Sequence, residues 1–431
     1  WLGSSGSSCR LGIALVVRLL LLVGVLSGCS PSPTPAQTNG SDPGETSSVE
    51  RTAAAQQTID DFVAAARRGD QTTAAALVSP RDGSFAGRAA IWATNLARLD
   101  WSTLTWTVQS AQGELSDARQ QRIGTDAWVQ EVTISWAYAG EKRVAQESVW
   151  LTFVTEPPTA ADGVTTRLAG DADDPTGSSP TPLWLQQPVR LHRSGSVLVL
   201  TASAAADRWV AESWGAQQAV AQRVGSARRG RRSVLVVEVP QSRALFERTV
   251  GVSPGSYAAV AAAAWPMGPD TTRAPIHVVV NPEAAGRLTE LGRKVLLTHE
   301  AVHVAVRSPG SPTPPWLVGG YADQIAYDAR PAGRLPAPPS GERSGREHGA
   351  PTPWPSAEDF APAAKDLDLA YDLAWTAAHS IAAADGADAL SRFYAAVAAG
   401  KSVDEAAATI GTTESALRKR WRADLAQLAD R

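Results

Sequence analysis

The feature that most constrains this chain is a pair of histidines four residues apart inside an apolar run. His299 and His303 lie in the stretch LLTHEAVHVAV, which has the composition of a buried helix. On a helix, residues at this spacing project from one face about one turn apart, so both imidazoles can reach a single metal ion. Glu300 can face a water molecule on that ion and act as general base. The stretch therefore predicts a zinc-binding helix, and the alternative is a structural helix that carries two histidines.

A second helix is predicted directly after this one, because SPGSPTPP ends the first helix and WLVGGYADQIAYDA resumes helical character. The two segments together resemble the gluzincins, the clan of zinc peptidases that includes thermolysin and the aminopeptidases. The second helix of that clan carries approximately Trp-Leu-x-Glu-Gly-x-Ala, and the matching residues here are Trp316, Leu317, Gly320 and Ala322. The resemblance implies one Zn²⁺ held by His299 and His303, water activated by Glu300, and hydrolysis of peptide bonds.

The chain departs from the gluzincin pattern at Gly319, which stands where the clan has the glutamate that is the third zinc ligand. A catalytic zinc site needs three protein ligands and an open position for water, and glycine has no side chain to offer. Asp323 is the nearest substitute, one helical turn further on. The resemblance implies that Asp323 orients His299 from outside the metal shell, and the alternative is direct ligation after a local shift of the helix.

Two residues of the helical C-terminal region are further candidates for the site. Tyr371 falls where relatives present a tyrosine that steadies the oxyanion of the tetrahedral intermediate, and His379 could serve in the same way. Packing on a helix face is the alternative for each of them.

The order of predicted elements indicates an α+β fold with two domains. Residues 49–178 begin with helices and continue with alternating strands, an order that resembles the cone-shaped nuclear transport factor-like fold. Residues 179–195 are predicted to be a linker, and residues 196–431 to form the gluzincin-like domain, with a small sheet and a helical C-terminal half. The tryptophans at alternate strand positions are predicted to face the core of the first domain: Trp106, Trp128, Trp136 and Trp150. His277, inside an apolar strand of the second domain, is predicted to be a hydrogen-bonded core or edge histidine rather than a metal ligand.

The N-terminal region has the pattern of a secretory signal. Arg10 and Arg18 precede an apolar run that is too short to span a bilayer as a mature helix. The run ends in LSGC, which resembles a bacterial lipobox and implies a signal peptide over residues 1–28, lipidation at Cys29 and a flexible tether over residues 29–48. This predicts a protein held on the extracytoplasmic face of the cell membrane. The alternatives are a transmembrane anchor, or a cleaved signal with an incidental cysteine.

The formal net charge of −3 over 431 residues gives no electrostatic reason to expect a nucleic-acid partner. The sequence therefore predicts a membrane-anchored zinc metallopeptidase that acts on peptides or proteins. The alternative is a catalytically inactive gluzincin relative that binds peptides or serves as a scaffold, because position 319 lacks the expected ligand.

Overall fold

The computed structural model describes residues 43–156, 165–177, 179–224, 234–329, 353–360 and 364–429. It is a mixed α+β fold with two β-sheets. The predicted signal peptide and Cys29 lie outside the described residues, as does most of the predicted tether, and the first helix already begins at Pro43. Within the described ranges, no helix is both long enough and apolar enough to cross a membrane.

The N-terminal half packs helices against a four-stranded antiparallel sheet in the order β1-β2-β3-β4. Its strands are β1 (Trp101–Gly113), β2 (Ala127–Tyr138), β3 (Ala145–Glu156) and β4 (Thr165–Gly170). Its helices are α1 (Pro43–Arg67), α2 (Gln71–Ala76), α3 (Gly83–Arg98) and α4 (Asp117–Ile123). Of the tryptophans predicted to face the core, Trp106, Trp128 and Trp136 are buried, whereas Trp150 is half-buried.

The C-terminal half contains a five-stranded mixed sheet in the order β5-β6-β7-β9-β8. Its strands are β5 (Arg190–Ser194), β6 (Val197–Thr201), β7 (Leu235–Val239), β8 (Ala262–Pro266) and β9 (Ile276–Val280). The central strands β6, β7 and β9 are parallel, and the edge strands β5 and β8 are antiparallel to their neighbours. The central strands are almost continuously apolar, because a parallel sheet is covered on both faces.

Helices cover this sheet and continue to the C-terminus. They are α5 (Leu183–Gln186), α6 (Ala206–Arg223), α7 (Arg243–Val250), α8 (Pro282–Ala285), α9 (Glu290–Val306), α10 (Pro315–Asp328), α11 (Leu367–Asp385), α12 (Ala387–Ala398), α13 (Val403–Ala408) and α14 (Glu414–Ala429). Residues 179–195, predicted to be a linker, contain α5 and β5. The two halves also share one hydrophobic cluster, in which Leu198, Val236 and Met267 pack with the core of the first sheet.

The predicted helix, break and helix around the histidines are confirmed. Thr289 caps the start of α9, where its side chain accepts a hydrogen bond from the Gly292 N–H. The helix ends at Arg307, whose φ of 55° is left-handed and turns the chain away. Pro315 then occupies the first turn of α10, where its missing N–H costs nothing. These local signals place the histidine-bearing helix and its neighbour side by side.

A buried ionic triad joins the two halves. His277 on β9 contacts Glu238 on β7 through Nδ1, at 2.7 Å, and Glu141 from the turn after β2 through Nε2, at 2.9 Å. The imidazole is fully buried and lies parallel to the ring of Tyr138. Burial opposes protonation of this ring, but the two carboxylates outweigh burial and raise the pKa of His277 to about 10. The prediction of a hydrogen-bonded core histidine is therefore confirmed.

We expect His277→Gln to lower the free energy of unfolding by about 3–5 kcal/mol, because it leaves two buried carboxylates without their cation. The pKa of His277 lies above the ordinary value of 6.5. Its contribution to stability is thus complete below pH 6.5 and is lost as the pH rises to about 10. Urea unfolding across this pH range should show that the wild type loses this stabilisation as the pH rises, whereas the variant should show no such loss.

His192→Gln is the matched control, since His192 is half-buried on β5, an edge strand of the same sheet. Its effect should stay within about 0.5 kcal/mol at every pH. Equal stability of His277→Gln and the wild type at pH 6 would contradict a triad that holds the halves together.

Candidate metal centre

Helix α9 brings the two predicted ligands together. His299 and His303 are both fully buried, and their Nε2 atoms face each other at 2.8 Å. The rings meet nearly edge to face, with centroids 4.5 Å apart. The spacing of four residues thus produces the convergence of two imidazole nitrogens that a shared metal ion requires.

The opposite nitrogen of each ring also has a partner. Asp323 on α10 accepts from His299, with Nδ1 and Oδ1 at 2.7 Å, and Ser308 contacts Nδ1 of His303 through its hydroxyl at 2.7 Å. A partner on the far nitrogen fixes the ring orientation and directs Nε2 toward the shared point, as in histidine-ligated metal sites. In this geometry Asp323 lies behind His299, which is the orienting position, and not between the two Nε2 atoms.

Ser308 was not found from the sequence. It reaches His303 because the left-handed residue Arg307 reverses the chain after α9, and the Ser308 N–H then donates to the His303 carbonyl at 3.1 Å. Left-handed conformation is uncommon for a residue other than glycine, so no local pattern signalled this turn.

Glu300 is held by the edge of the sheet. Its Oε2 accepts from the Ala264 N–H of β8 at 2.8 Å, while Oε1 is buried and has no hydrogen-bond partner among the described residues. Burial raises the pKa of Glu300 to about 7. A carboxyl with one fixed and one unengaged oxygen is suited to taking and returning a proton near neutral pH.

The surroundings of the two histidines shift their pKa values in opposite directions. Burial works against a charged His299, but the Asp323 carboxylate raises the pKa of this imidazole above its ordinary value. Burial, with the positive charge of His299, lowers the pKa of His303 well below its ordinary value. The pair therefore carries at most one positive charge.

The adjacent glycines of α10 differ in what surrounds them. A Cβ atom at Gly319 would lie 3.4 Å from Cε1 of Tyr371, which is an ordinary contact. A Cβ atom at Gly320 would lie 2.2 Å from the carbonyl oxygen of Ala374 on α11, which no real contact permits. Gly320 is thus required by the close crossing of two helices, whereas packing does not require glycine at position 319.

We expect Gly320→Ala to lower the free energy of unfolding by about 1–3 kcal/mol, because the backbone of α11 must move to admit the methyl group. Gly319→Ala is the matched control on the same helix and should be neutral, or stabilising by up to about 1 kcal/mol through the helix propensity of alanine. Urea unfolding of both variants measures the difference. Equal destabilisation by the two substitutions would contradict the assignment of the crossing to Gly320.

The other two candidates lie on α11. Tyr371 is half-buried, and its ring packs against Gly319 and edge-on against Phe360. The structure therefore brings Tyr371 next to the position of the missing ligand. His379 donates through Nδ1 to the Gln324 Oε1 at 3.1 Å and stacks on Trp375. These contacts correspond to the alternative given for His379 in the sequence analysis, which is packing on a helix face.

The residues present fit a zinc ion in part. Two imidazoles converge, both are oriented from behind, and Glu300 has an unengaged buried oxygen. In the described part of the chain, however, no three metal-ligating side chains surround a common point. Two nitrogens bound tetrahedrally to zinc lie about 3.3 Å apart, so the rings at 2.8 Å would part by about 0.5 Å to admit the ion.

No family model, curated protein or solved structure matches this chain. The geometry of the site therefore carries the functional argument.

Proposed function

We propose that this chain is a gluzincin-like, zinc-dependent hydrolase of peptide bonds. The observation that supports the proposal is the convergence of the Nε2 atoms of His299 and His303, each ring being directed by its own partner on Nδ1. A helix that carried two histidines for packing alone would not need both rings turned toward one point and held from behind.

His299 and His303 would hold the ion, with Asp323 and Ser308 keeping both Nδ1 protons engaged so that both Nε2 lone pairs face inward. A bound zinc ion polarises the substrate carbonyl and lowers the pKa of its water. Glu300 would accept a proton from the attacking water at Oε1, while the Ala264 N–H holds Oε2 in place. Oε1 would then return the proton to the leaving amine.

A second candidate, a catalytically inactive relative that binds peptides or serves as a scaffold, is favoured by Gly319 and by the short distance between the imidazoles. At 2.8 Å the His303 N–H can donate to His299, which donates to Asp323, while Ser308 donates to His303. This series of hydrogen bonds gives every nitrogen of both rings a partner without an ion. The two candidates therefore differ in whether zinc displaces the hydrogen bond between the rings.

The proposal for the whole protein adds the features predicted from the sequence. These are a nuclear transport factor-like domain over residues 49–178, a gluzincin-like domain over residues 196–431, and a lipid anchor at Cys29. With these features, the proposed hydrolysis of peptides or proteins would occur on the extracytoplasmic face of the cell membrane.

We expect the purified full chain to bind one zinc ion, and Gly319→Glu to tighten binding at least about tenfold, because a carboxylate from this position supplies the missing ligand. The measurement is competition against a chromophoric chelator. Gly319→Gln is the matched control, since it adds the same volume to α10 with a neutral amide, and its affinity should stay at the wild-type level.

Three results distinguish the candidates. Zinc binding by the wild type that is lost in His303→Ala supports the enzyme. Binding by Gly319→Glu alone supports the inactive relative. Binding by neither protein would contradict a gluzincin-like metal site.

We expect Glu300→Gln to lower kcat/KM for a peptide-library substrate by about 10²-fold or more, because the amide cannot accept the proton of the attacking water. Zinc affinity should change much less, since Glu300 does not hold the ion. Equal turnover by wild type and variant would show that the activity belongs to a contaminant.

A further inference from the structure

A polar cavity of about 550 Å³ opens in the N-terminal half, between the starts of α3 and α4, the segment after β4, and helix α7. Four arginines and three aspartates line it: Arg88, Arg119, Arg122, Arg248, Asp82, Asp171 and Asp173. Its size is within the range of small-molecule sites, although its lining is far more polar than usual. A site lined by so many charged side chains favours a charged ligand.

All three aspartates form ion pairs with two of the arginines. Arg88 binds Asp171 with Nε at 2.9 Å from both carboxylate oxygens. Arg119 binds Asp82 through Nη1 at 2.6 Å and Asp173 through Nε at 3.0 Å. These ion pairs fix the cavity wall and leave it with one net negative charge, which the two remaining arginines outweigh.

The wall around Arg119 is closely fitted. This side chain is only 8% exposed, and its Nη2 also donates to the Ala169 carbonyl at 3.3 Å. A Cβ atom at Gly170 would lie 2.4 Å from Nη2, so glycine at this position gives the guanidinium its place. Arg119 is therefore pre-organised, and this part of the wall needs no ordering when a ligand enters.

Two cations remain at the rim. Arg122 on α4 and Arg248 on α7 are exposed, and neither forms an ion pair with another residue that the structure describes. They come from different halves of the molecule and line the same cavity. Two guanidinium groups that line one cavity can bind carboxylate or phosphate oxygens by paired hydrogen bonds.

We propose that this cavity binds a small dianion, a phosphate group or a dicarboxylate, between Arg122 and Arg248. Arg122 and Arg248 supply the positive charge that binds the ligand. The ion-paired side chains of Arg88 and Arg119 form the wall of the site. Since Arg248 belongs to the C-terminal half and Arg122 to the N-terminal half, the ligand bridges both halves. This site is separate from the proposed zinc hydrolysis and does not depend on it.

The test is calorimetric titration of the full chain with inorganic phosphate and, separately, with succinate at constant ionic strength. We expect saturable binding of one of them, and a loss of at least about tenfold in affinity in the double variant Arg122→Gln/Arg248→Gln, because each charge-assisted contact is lost. Preference for phosphate identifies a phosphate site, and preference for succinate identifies a dicarboxylate site.

The control is Arg98→Gln/Arg287→Gln, which removes the same charge from two exposed positions that do not line the cavity. It should keep wild-type affinity. Absence of saturable binding of both anions to the wild type, or equal loss in the two double variants, would overturn the proposal. Urea unfolding of both double variants confirms that each remains folded.

Discussion

The close crossing of α10 and α11 at Gly320 is the constraint on which the candidate centre depends. The backbone of α11 approaches so closely at Ala374 that no side chain fits between the helices. This contact sets the position of α10, and Asp323, less than one turn further along, then meets His299 on α9. The orientation of the first imidazole therefore rests on a backbone contact in a neighbouring helix pair. A shift of α10 away from α9 by about 1 Å would stretch the 2.7 Å hydrogen bond beyond its ordinary range.

Much of this arrangement could be predicted from the sequence, since its signals are local. The apolar run around His299 and His303, the prolines after it and the resumed helical pattern define two adjacent helices. The place of Asp323 behind His299 was implied by the resemblance to the gluzincins and not by a local pattern. The mixed α+β class followed from the order of alternating and helical patterns, because those patterns depend on near neighbours in the chain.

The remaining parts depend on contacts between distant residues or on unusual backbone geometry. Glu300 finds its partner at Ala264, 36 residues earlier, and His277 finds Glu141 at a separation of 136 residues. Ser308 reaches His303 only through the left-handed conformation of Arg307, which a sequence pattern does not reveal. The segment predicted to be a linker is rich in proline and has few consecutive apolar residues. It nevertheless contains β5, which forms by pairing with β6. Tertiary pairing overrides local propensity in such short segments.

Of the two glycines of α10, one matters for folding and the other for the chemistry of the candidate site. Stability requires Gly320, whereas position 319 faces Tyr371 with room for a Cβ atom. Natural selection on stability therefore acts on one of these neighbours and leaves the other open to drift. In a lineage of such proteins, a side chain able to bind a metal at position 319 could be acquired or lost in a single substitution while the fold persisted.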